Sequence, residues 1–412
     1  MPATVHIIGA GVSGLSAAVH LVSRGIKVLI HESAGHAGGR CRSYFDAKLG
    51  RQIDNGNHLL LSGNRSVHEY LKMTDAVDQL TDPGKAVFPF LDLETKTRWN
   101  VEPDEGIIPW SLFSAANRVP GSRGRDYFKA LKLKFAGPDT TVKQCLGPDG
   151  VLYHRLWEPL AVSILNTEAE TAAASLLWPV LQETFGRGGK ACRPLIARIG
   201  LSETFVDPAL AFIRAAGGEI SLNHRLRSFQ FESSHVKSLE FNTGTIELSP
   251  EDRVILAVPA GAASTLVPDQ HYPTESRAII NAHFVLPEEY TFEGCLGIVG
   301  GLSHWLFVRG DVASITISAA DSLLGMGTQE LEQKLWSEVT QALEISQMPC
   351  GPSRVIREKK ATFAQTPEQL RKRPGLTSSW DNLLFAGDWV NTGLPATIEG
   401  AIRSGKLASN LI

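Results

Sequence analysis

Residues 5–21 read VHIIGAGVSGLSAAVHL and contain the most informative pattern in this chain. The first four residues of this stretch form a short, mostly apolar run that predicts a buried strand, and its last seven predict a helix. The turn between them consists of Gly9, Ala10, Gly11, Val12, Ser13 and Gly14. A strand, a GxGxxG turn and a helix in this order form the fingerprint of a dinucleotide-binding site. An ordinary βαβ turn is the alternative.

The glycines of this turn have separate expected functions. Gly9 permits the tight turn, Gly11 lets a pyrophosphate approach the backbone, and Gly14 lets the helix pack closely on the strand. The helix N-terminus adds free N–H groups and the positive end of a dipole. Residues 27–31 predict a second strand, and Glu32 at its tip is placed to accept hydrogen bonds from a ribose diol. Ser33, beside it, is predicted to contact the same cofactor.

Composition limits the classes of protein to be considered. The 412 residues suffice for two or more domains, and the 43% hydrophobic content is typical of a globular protein. Lys and Arg number 40 against 43 Asp and Glu, so broad nucleic-acid binding is not expected. The five cysteines have no CxxC spacing, which predicts no disulfide framework and no metal site and favours a cytoplasmic location. No apolar run reaches the roughly 20 residues of a membrane span.

Two further stretches carry a resemblance to a known superfamily. Glu32 is followed by SAGHAGGRCRS, which contains Gly39 and Arg40, and residues 385–405 read FAGDWVNTGLPATIEGAIRSG. Both stretches resemble flavoenzymes of the amine oxidase and phytoene desaturase superfamily. The resemblance implies a Rossmann-type domain that binds FAD, with Arg40 near the pyrophosphate. Attachment is expected to be non-covalent because no cysteine follows Cys350.

The resemblance implies cofactor contacts in the later parts of the chain as well. Asp388 would bond the ribityl chain, and a helix with a proline at its first position would point its N-terminus at the flavin, where it stabilises negative charge. Leu226 would place its backbone beside the adenine. The cofactor contacts predicted outside the first 50 residues are Asn55, Gly56, Asn57, His58, Leu226, Gly387, Asp388, Pro395, Ala396 and Thr397.

The predicted fold class is α/β, or α+β when the whole chain is considered. Residues 1–70, 200–259 and 378–412 are predicted to form a discontinuous FAD-binding domain. Residues 71–199 and 260–377 are predicted to form an inserted mixed substrate-binding domain. A meander of short strands within residues 217–259 would return the chain to the first domain. The stretch RKRP, residues 371–374, is predicted to be a solvated turn.

Three stretches resemble one branch of the superfamily. Residues 54–64, residues 156–177 followed by 198–220, and residues 386–405 are similar to the squalene-associated FAD enzymes of bacterial hopanoid pathways, the hydroxysqualene dehydroxylases. The resemblance implies reductive removal of the hydroxyl of hydroxysqualene to give squalene, with hydride passing from N5 of reduced FAD to an allylic carbon. Asn57 departs from the family pattern, which has Gln there. A polyene or carotenoid desaturase, an amine oxidase and a non-catalytic lipid-binding protein are the alternatives.

Loss of the hydroxyl as water requires a proton donor near the flavin. His58 and Asp54 are the candidates, together with a water held by Asn55 or Asn57. The alternatives are that Asp54 only bonds backbone and that His58 only packs on the flavin ring. The electron donor is not identified by the sequence, and NAD(P)H is one candidate.

An apolar isoprenoid substrate requires a long apolar pocket and access to lipid. The candidate wall residues, each of which could instead be ordinary core, are Trp110, Phe113, Trp157, Leu160, Leu165 and Trp178. Residues 118–137 contain six basic residues, with Phe128, Leu131 and Phe135 at helical spacing. Such a helix would dock peripherally on the inner face of the membrane, or it would be a solvated helix packed on the core.

Overall fold

The computed structural model describes residues 3–106, 110–287, 292–345 and 348–412. Its strands are β1 (Thr4–Ile8), β2 (Lys27–His31), β3 (Ser43–Asp46), β4 (Arg51–Asp54), β5 (Leu60–Leu61), β6 (Leu80–Thr81), β7 (Phe88–Asp92), β8 (Thr97–Val101), β9 (Pro194–Ala197), β10 (Glu219–Ser221), β11 (Leu226–Glu232), β12 (His235–Phe241), β13 (Gly244–Glu247), β14 (Arg253–Leu256), β15 (Ser276–Val285), β16 (Gly294–Val299), β17 (Trp305–Arg309), β18 (Val312–Ile317), β19 (Ser353–Phe363) and β20 (Leu383–Phe385). Its α-helices are α1 (Val12–Val22), α2 (Arg65–Met73), α3 (Gly124–Tyr127), α4 (Val142–Leu146), α5 (Glu158–Leu165), α6 (Leu177–Glu183), α7 (Asp207–Ala215), α8 (Ala260–Leu266), α9 (Thr328–Leu343), α10 (Pro367–Arg371) and α11 (Ile398–Ser409).

A parallel sheet holds the two ends of the chain together. Its strand order is β10-β2-β1-β14-β20, with every neighbouring pair parallel. The short apolar runs that form β1, β14 and β20 are buried, as expected for strands covered on both faces. Helices α1 and α11 pack against each other, and a Cβ at Gly405 would lie 2.0 Å from the Ser13 carbonyl oxygen. The α/β fold class is therefore confirmed.

The chain between these strands builds four further sheets within the described residues, and two of them bear on the site. Strands β11, β12 and β13 form an antiparallel meander, and β14 then joins the parallel sheet beside β1, as the sequence predicts. A mixed sheet has the order β19-β15-β18-β17-β16-β7-β8 and combines strands from both predicted substrate-binding segments. The division of the chain into two domains at the residues given above stays a prediction.

The regular helix predicted within residues 118–137 is wrong. The structure has the short α3 followed by a 3₁₀ segment, Phe128–Phe135. Of the residues in that segment only Leu133 is buried, so no continuous apolar face is available to stabilise a longer α-helix. Within the described ranges, no helix has the length and apolar character required to cross a membrane.

Candidate active site

One cavity of about 880 Å³ collects most of the predicted cofactor contacts. The predicted residues that line it are Gly9, Gly11, Val12, Ser13, Glu32, Ser33, Gly39, Arg40, Asn55, Gly56, Asn57, His58, Leu226, Gly387, Asp388, Pro395, Ala396 and Thr397. Ala10 and Gly14 belong to the same turn but do not line the cavity. We call the part formed by residues 9–14, Glu32, Arg40, Asp388 and the N-terminus of α11 the nucleotide cradle.

The glycine turn of the cradle is shaped by steric limits. Gly9 has φ of +107°, and a Cβ there would lie 2.6 Å from the Ala257 carbonyl oxygen. A Cβ at Gly14 would lie 2.0 Å from the Gly9 carbonyl oxygen, so only glycine lets α1 start this close to β1. At Gly11 no described atom lies within 4 Å of such a Cβ, and the residue lines the cavity. This open space beside backbone and a helix N-terminus fits a pyrophosphate.

Glu32 is held in place by the backbone of the cradle. One carboxylate oxygen accepts a hydrogen bond from the Ala10 N–H at 2.8 Å. The other accepts from the Ala34 N–H at 2.8 Å and from the Ser33 hydroxyl at 3.1 Å. A carboxylate has about four acceptor positions, so capacity for a ribose hydroxyl remains.

Arg40 and Asp388 meet across the cradle although they are far apart in the sequence. Arg40 Nη2 lies 2.8 Å from Asp388 Oδ1, and Arg40 also donates to the Ala361 carbonyl. The Asp388 carboxylate raises the pKa of the Arg40 guanidinium. A fixed cation beside the open glycine turn fits an anionic pyrophosphate group.

The last helix begins later than predicted. α11 starts at Ile398, and Thr397 is its N-cap, with Oγ1 accepting from the Gly400 N–H at 3.1 Å. The prediction that Pro395 occupies the first helical position is wrong, because the Thr397 side chain caps the helix two residues further on. Glu399 accepts hydrogen bonds from the Ser66 and Val67 N–H groups at 3.0 and 2.9 Å, which ties α11 to the start of α2.

Arg373 is a buried residue that the sequence reading placed in a solvated turn. It is 8% exposed, and its guanidinium donates to the carbonyls of Trp389, Val390 and Leu394 at 3.2, 2.5 and 2.9 Å. Burial lowers its pKa to about 10. Arg373 therefore fixes the loop that leads from Asp388 to α11. The stretch RKRP, residues 371–374, contains no sequence pattern that predicts this burial.

A polar network forms another part of the cavity wall. Asn57 Nδ2 donates to Thr316 Oγ1 at 3.1 Å, and that hydroxyl donates to Asn281 Oδ1 at 2.8 Å. Asn281 Nδ2 in turn contacts the Asn55 carbonyl at 3.3 Å. We call Asn57, Asn281 and Thr316, with the aromatic Trp305 and Phe307 beside them, the inner wall, because all five line the main cavity.

Sequence reasoning missed Asn281 and Thr316, although a signal was present. Asn281 and His283 alternate with apolar residues along β15, and Ser314 and Thr316 do so along β18. The two strands pair with Asn281 opposite Thr316 and His283 opposite Ser314. This paired sheet therefore presents one polar face towards the site.

The two candidate proton donors occupy different positions. Asp54 does not line the main cavity, and its carboxylate accepts from the Ser43 hydroxyl, the Leu201 N–H and Arg309 at 2.6, 2.9 and 2.9 Å. Three such donors occupy the Asp54 carboxylate, so its position suits a structural role. His58 does line the cavity, and burial lowers its pKa to about 4, with the Asp54 charge opposing this shift.

Beyond the inner wall the cavity is apolar. Its lining there includes Leu59, Leu61, Phe88, Phe90, Val101, Leu156, Leu160 and Ile164. Among the predicted wall residues only Leu160 is in this lining, and the Phe113 side chain lies outside the described part of the chain. Trp157 and Leu165 are buried core, and Trp110 is 66% exposed. Trp178 is half-buried in the same core. Apolar character alone did not separate core from cavity.

Comparisons with known proteins agree with this geometry. The family model for flavin-containing amine oxidoreductases matches residues 12–412. The chain is 44% identical to a hydroxysqualene dehydroxylase of Sinorhizobium fredii, over 100% of this chain and 98% of that protein. It is likewise 44% identical to a hydroxysqualene dehydroxylase of Zymomonas mobilis, over 98% of each. The solved structure of cyclohexylamine oxidase from Brevibacterium oxydans superposes with a TM-score of 0.71 at 16% identity, covering 100% of this chain and 98% of that one.

Proposed function

The chain belongs to the flavin-containing amine oxidoreductases and, within them, to the hydroxysqualene dehydroxylases, and we propose that it converts hydroxysqualene to squalene. One observation supports this most directly: a single cavity joins a nucleotide cradle to a long apolar region. The cradle suits FAD, the cofactor of this enzyme class, and the apolar region suits an isoprenoid chain. Desaturation of a polyene is the second candidate, because it would use the same two regions.

Each part of the cavity contributes a separate function in this proposal. Reduced FAD, when bound, supplies a hydride from N5. Gly11 and Arg40 hold the pyrophosphate, Glu32 holds a ribose, and the N-terminus of α11 stabilises negative charge on the flavin. His58 protonates the departing hydroxyl, since an allylic hydroxyl leaves more easily as water.

The cofactor is proposed to be bound without a covalent link. Cys41 is the cysteine that lines the main cavity within the described chain. Burial raises the pKa of its thiol, and a protonated thiol is a poor nucleophile. The test is denaturation of the purified protein, which should release all of its FAD into the filtrate. Yellow colour that stays with the polypeptide would contradict the proposal.

The reaction is tested under anaerobic conditions. The purified holoprotein is reduced with light and a donor, hydroxysqualene is added, and flavin absorbance is followed while products are extracted. We expect the flavin to be reoxidised and squalene to form in equal amount, whereas squalene added in place of the alcohol should leave the flavin reduced. If hydroxysqualene is recovered unchanged and the flavin stays reduced, the proposal fails. Desaturation of a polyene by the oxidised enzyme would then support the second candidate.

We also propose that residues 118–137 dock on an anionic bilayer. Phe128, Leu131 and Phe135 are 50%, 53% and 79% exposed, so they are not packed on the core. The neighbouring Lys132 and Lys134 are exposed as well. Exposed apolar side chains beside basic ones are suited to the interface of an anionic membrane, where a lipid-dissolved substrate is found.

Vesicle flotation tests this surface. The protein should float with vesicles that contain phosphatidylserine and less with neutral ones. Exchanging both Phe128 and Phe135 for Ser should abolish flotation and leave FAD content unchanged. Phe45→Ser on β3, where the side chain is 68% exposed, is the matched control and should float like the parent. Equal flotation of all three proteins would contradict docking through this segment.

A further inference from the structure

A second, smaller cavity lies behind His58. Its volume is about 40 Å³, and Asn57, His58 and Phe307 line both this cavity and the main one. These three residues therefore form the partition between the two spaces. A buried water needs roughly 10–15 Å³ of such volume, so two or three waters fit in the smaller space.

The wall of the small cavity contains a buried histidine with an unused ring nitrogen. His283 is 1% exposed, and its Nδ1 lies 2.7 Å from Ser314 Oγ. Its Nε2 makes no hydrogen bond within normal limits of distance and angle to a described residue, although the Asp54 backbone lies near enough to oppose the lowering of the pKa of this ring. Because a buried polar atom without a partner is costly, water in this cavity is the partner expected for Nε2.

Two polar residues that line the small cavity also reach solvent. Gln52 is exposed, and the Arg309 side chain is 32% exposed. Both line the cavity, as does Asp54, whose carboxylate lies 2.9 Å from Arg309 Nη1. The small cavity thus extends from partly solvated polar residues to the inner face of His58.

Both rings have the protonation state that a relay requires. Burial lowers the pKa of His58 and of His283 to about 4, so each ring is neutral at pH 7. A neutral imidazole has one N–H that donates and one nitrogen that accepts. The charged groups that act on the two rings are Asp46, Asp54, Arg40 and Arg309.

We propose that the small cavity is a proton path, in which ordered water and His283 carry one proton per turnover from solvent to His58. The inference rests on the proposed dehydroxylation. In that reaction the C–O bond breaks, hydride passes from reduced flavin to the carbon, and one nitrogen of His58 gives its proton to the oxygen, which leaves as water. The other nitrogen of His58 takes a proton from water in the small cavity. In total, the alcohol, anionic reduced flavin and one proton from solvent give the hydrocarbon, oxidised flavin and water.

The need for such a path follows from the substrate. An isoprenoid chain that fills the apolar region excludes water from that side of the hydroxyl. The proton must then arrive through the protein, and the partition at His58 is the place where a polar space with room for water touches the main cavity.

Two variants test the path in different ways. Val312→Phe fills the small cavity without removing a polar group, because Val312 is one of its apolar lining residues. His283→Gln removes the imidazole, and with it the Nε2 atom that would accept or donate a proton, but keeps a polar side chain. Val151→Phe is the matched control, since Val151 is 40% exposed and lines neither cavity.

The measurement is single-turnover reoxidation of anaerobically reduced holoprotein by hydroxysqualene, in H₂O and in D₂O. We expect both variants to lower the rate at saturating substrate by at least about 10-fold, since a positioned general acid contributes about 10²–10⁴-fold. The solvent isotope effect should rise, while the half-saturating substrate concentration, FAD content and thermal midpoint stay near those of the parent. Val151→Phe should match the parent in every readout.

The outcomes separate the two proposals. If the parent itself does not form squalene, the dehydroxylase function fails. If the parent forms squalene and both variants keep its rate and isotope effect, the proton path is overturned and the small cavity is a structural water site. If Val312→Phe does not fold, His283→Gln decides by the same readouts.

Discussion

The nucleotide cradle and the inner wall line the same cavity but are specified in different ways. In the cradle, glycines stand where a Cβ would collide with backbone, as at Gly9 and Gly14. In the inner wall, side chains from β15 and β18 meet through cross-strand pairing, as Asn281 does with Thr316. The backbone path therefore determines the shape of the cradle, whereas the pairing of side chains across two strands determines the inner wall. Changes in the cradle should remove the cofactor, and changes in the inner wall should remove the reaction.

The most severe test of the cradle is Gly14→Ala. A Cβ at Gly14 would lie 2.0 Å from a backbone oxygen that cannot move without disturbing β1, so the cost should exceed the about 1–3 kcal/mol typical of overpacked sites. We expect no FAD-bound protein after purification, measured by flavin absorbance and circular dichroism. Gly261→Ala is the control, because a Cβ there meets nothing within 4 Å, and it should stay within about 1 kcal/mol of the parent. A yellow, folded Gly14→Ala protein would show that backbone contact does not specify the cradle.

A smaller effect is expected from Arg40→Met, which leaves Asp388 without its cation. Asp388 is only 10% exposed, but Arg40 is 38% exposed, so solvent moderates the loss. We expect FAD to bind about 10- to 100-fold more weakly, which corresponds to about 1.4–2.8 kcal/mol, as measured by fluorescence titration of apoprotein.

The Arg51–Asp311 pair supplies the control for this experiment. Its side chains are 47% and 38% exposed, and the separation is 2.7 Å. Exposed pairs contribute about 0–1 kcal/mol, so Arg51→Met should leave FAD affinity unchanged. Equal losses in both variants would mean that the Arg40 pair has no special relation to the cofactor.

The difference between the two regions also explains what the sequence could predict. The glycine turn, Glu32, Arg40 and Asp388 belong to short local motifs, so the sequence predicts the parallel sheet and places these residues at one cavity, while their contacts with the cofactor stay a prediction. The inner wall depends on the register of β15 against β18, and a single-residue slip would turn Asn281 away from Thr316. Sequence alternation indicates a polar face but not which strand pairs with it.

Two errors have the same origin in long-range contacts. Arg373 lies in a polar stretch that reads as a solvated turn, yet carbonyls of the loop before α11 surround its guanidinium. The segment Phe128–Phe135 has the spacing of a helix, yet it lacks the packing partner that would stabilise one.

For the inner wall the informative change is Thr316→Val, which keeps the shape and removes the hydroxyl between Asn57 and Asn281. Losing both hydrogen bonds should raise the activation free energy by about 1–3 kcal/mol, or roughly 5- to 150-fold in single-turnover rate, with FAD affinity within about 2-fold of the parent. Thr340→Val on α9, away from both cavities, is the control and should change neither quantity. A loss of FAD without a change in the rate of the remaining holoprotein would reverse the assignment of the two regions.

The smallest predicted effect compares buried histidines in the two regions. His31 lies beside the cradle, with Nε2 3.1 Å from His6 and Nδ1 2.9 Å from His224. Burial, together with the two neighbouring histidines, lowers the pKa of His31 to about 3. An unfolded histidine has a pKa near 6.5. Between about pH 6.5 and about pH 3 the unfolded chain therefore binds a proton at this histidine that the folded chain does not bind. The free energy of unfolding consequently falls as the pH decreases below about 6.5.

His31→Gln should therefore flatten the acid side of the stability profile without changing the chemistry. The linkage amounts to at most about 2 kcal/mol at pH 5, so the fall in thermal midpoint between pH 7 and pH 5 should shrink by a few degrees. The exposed His271→Gln should keep the parent slope. His283→Gln is the opposite case, because its ring adjoins a cavity with room for water and its loss should slow the reaction. If His31→Gln slowed turnover as much as His283→Gln at pH 7, loss of a buried histidine would slow the reaction regardless of its position. The distinction between a cradle that binds the cofactor and an inner wall that supports the reaction would then be wrong.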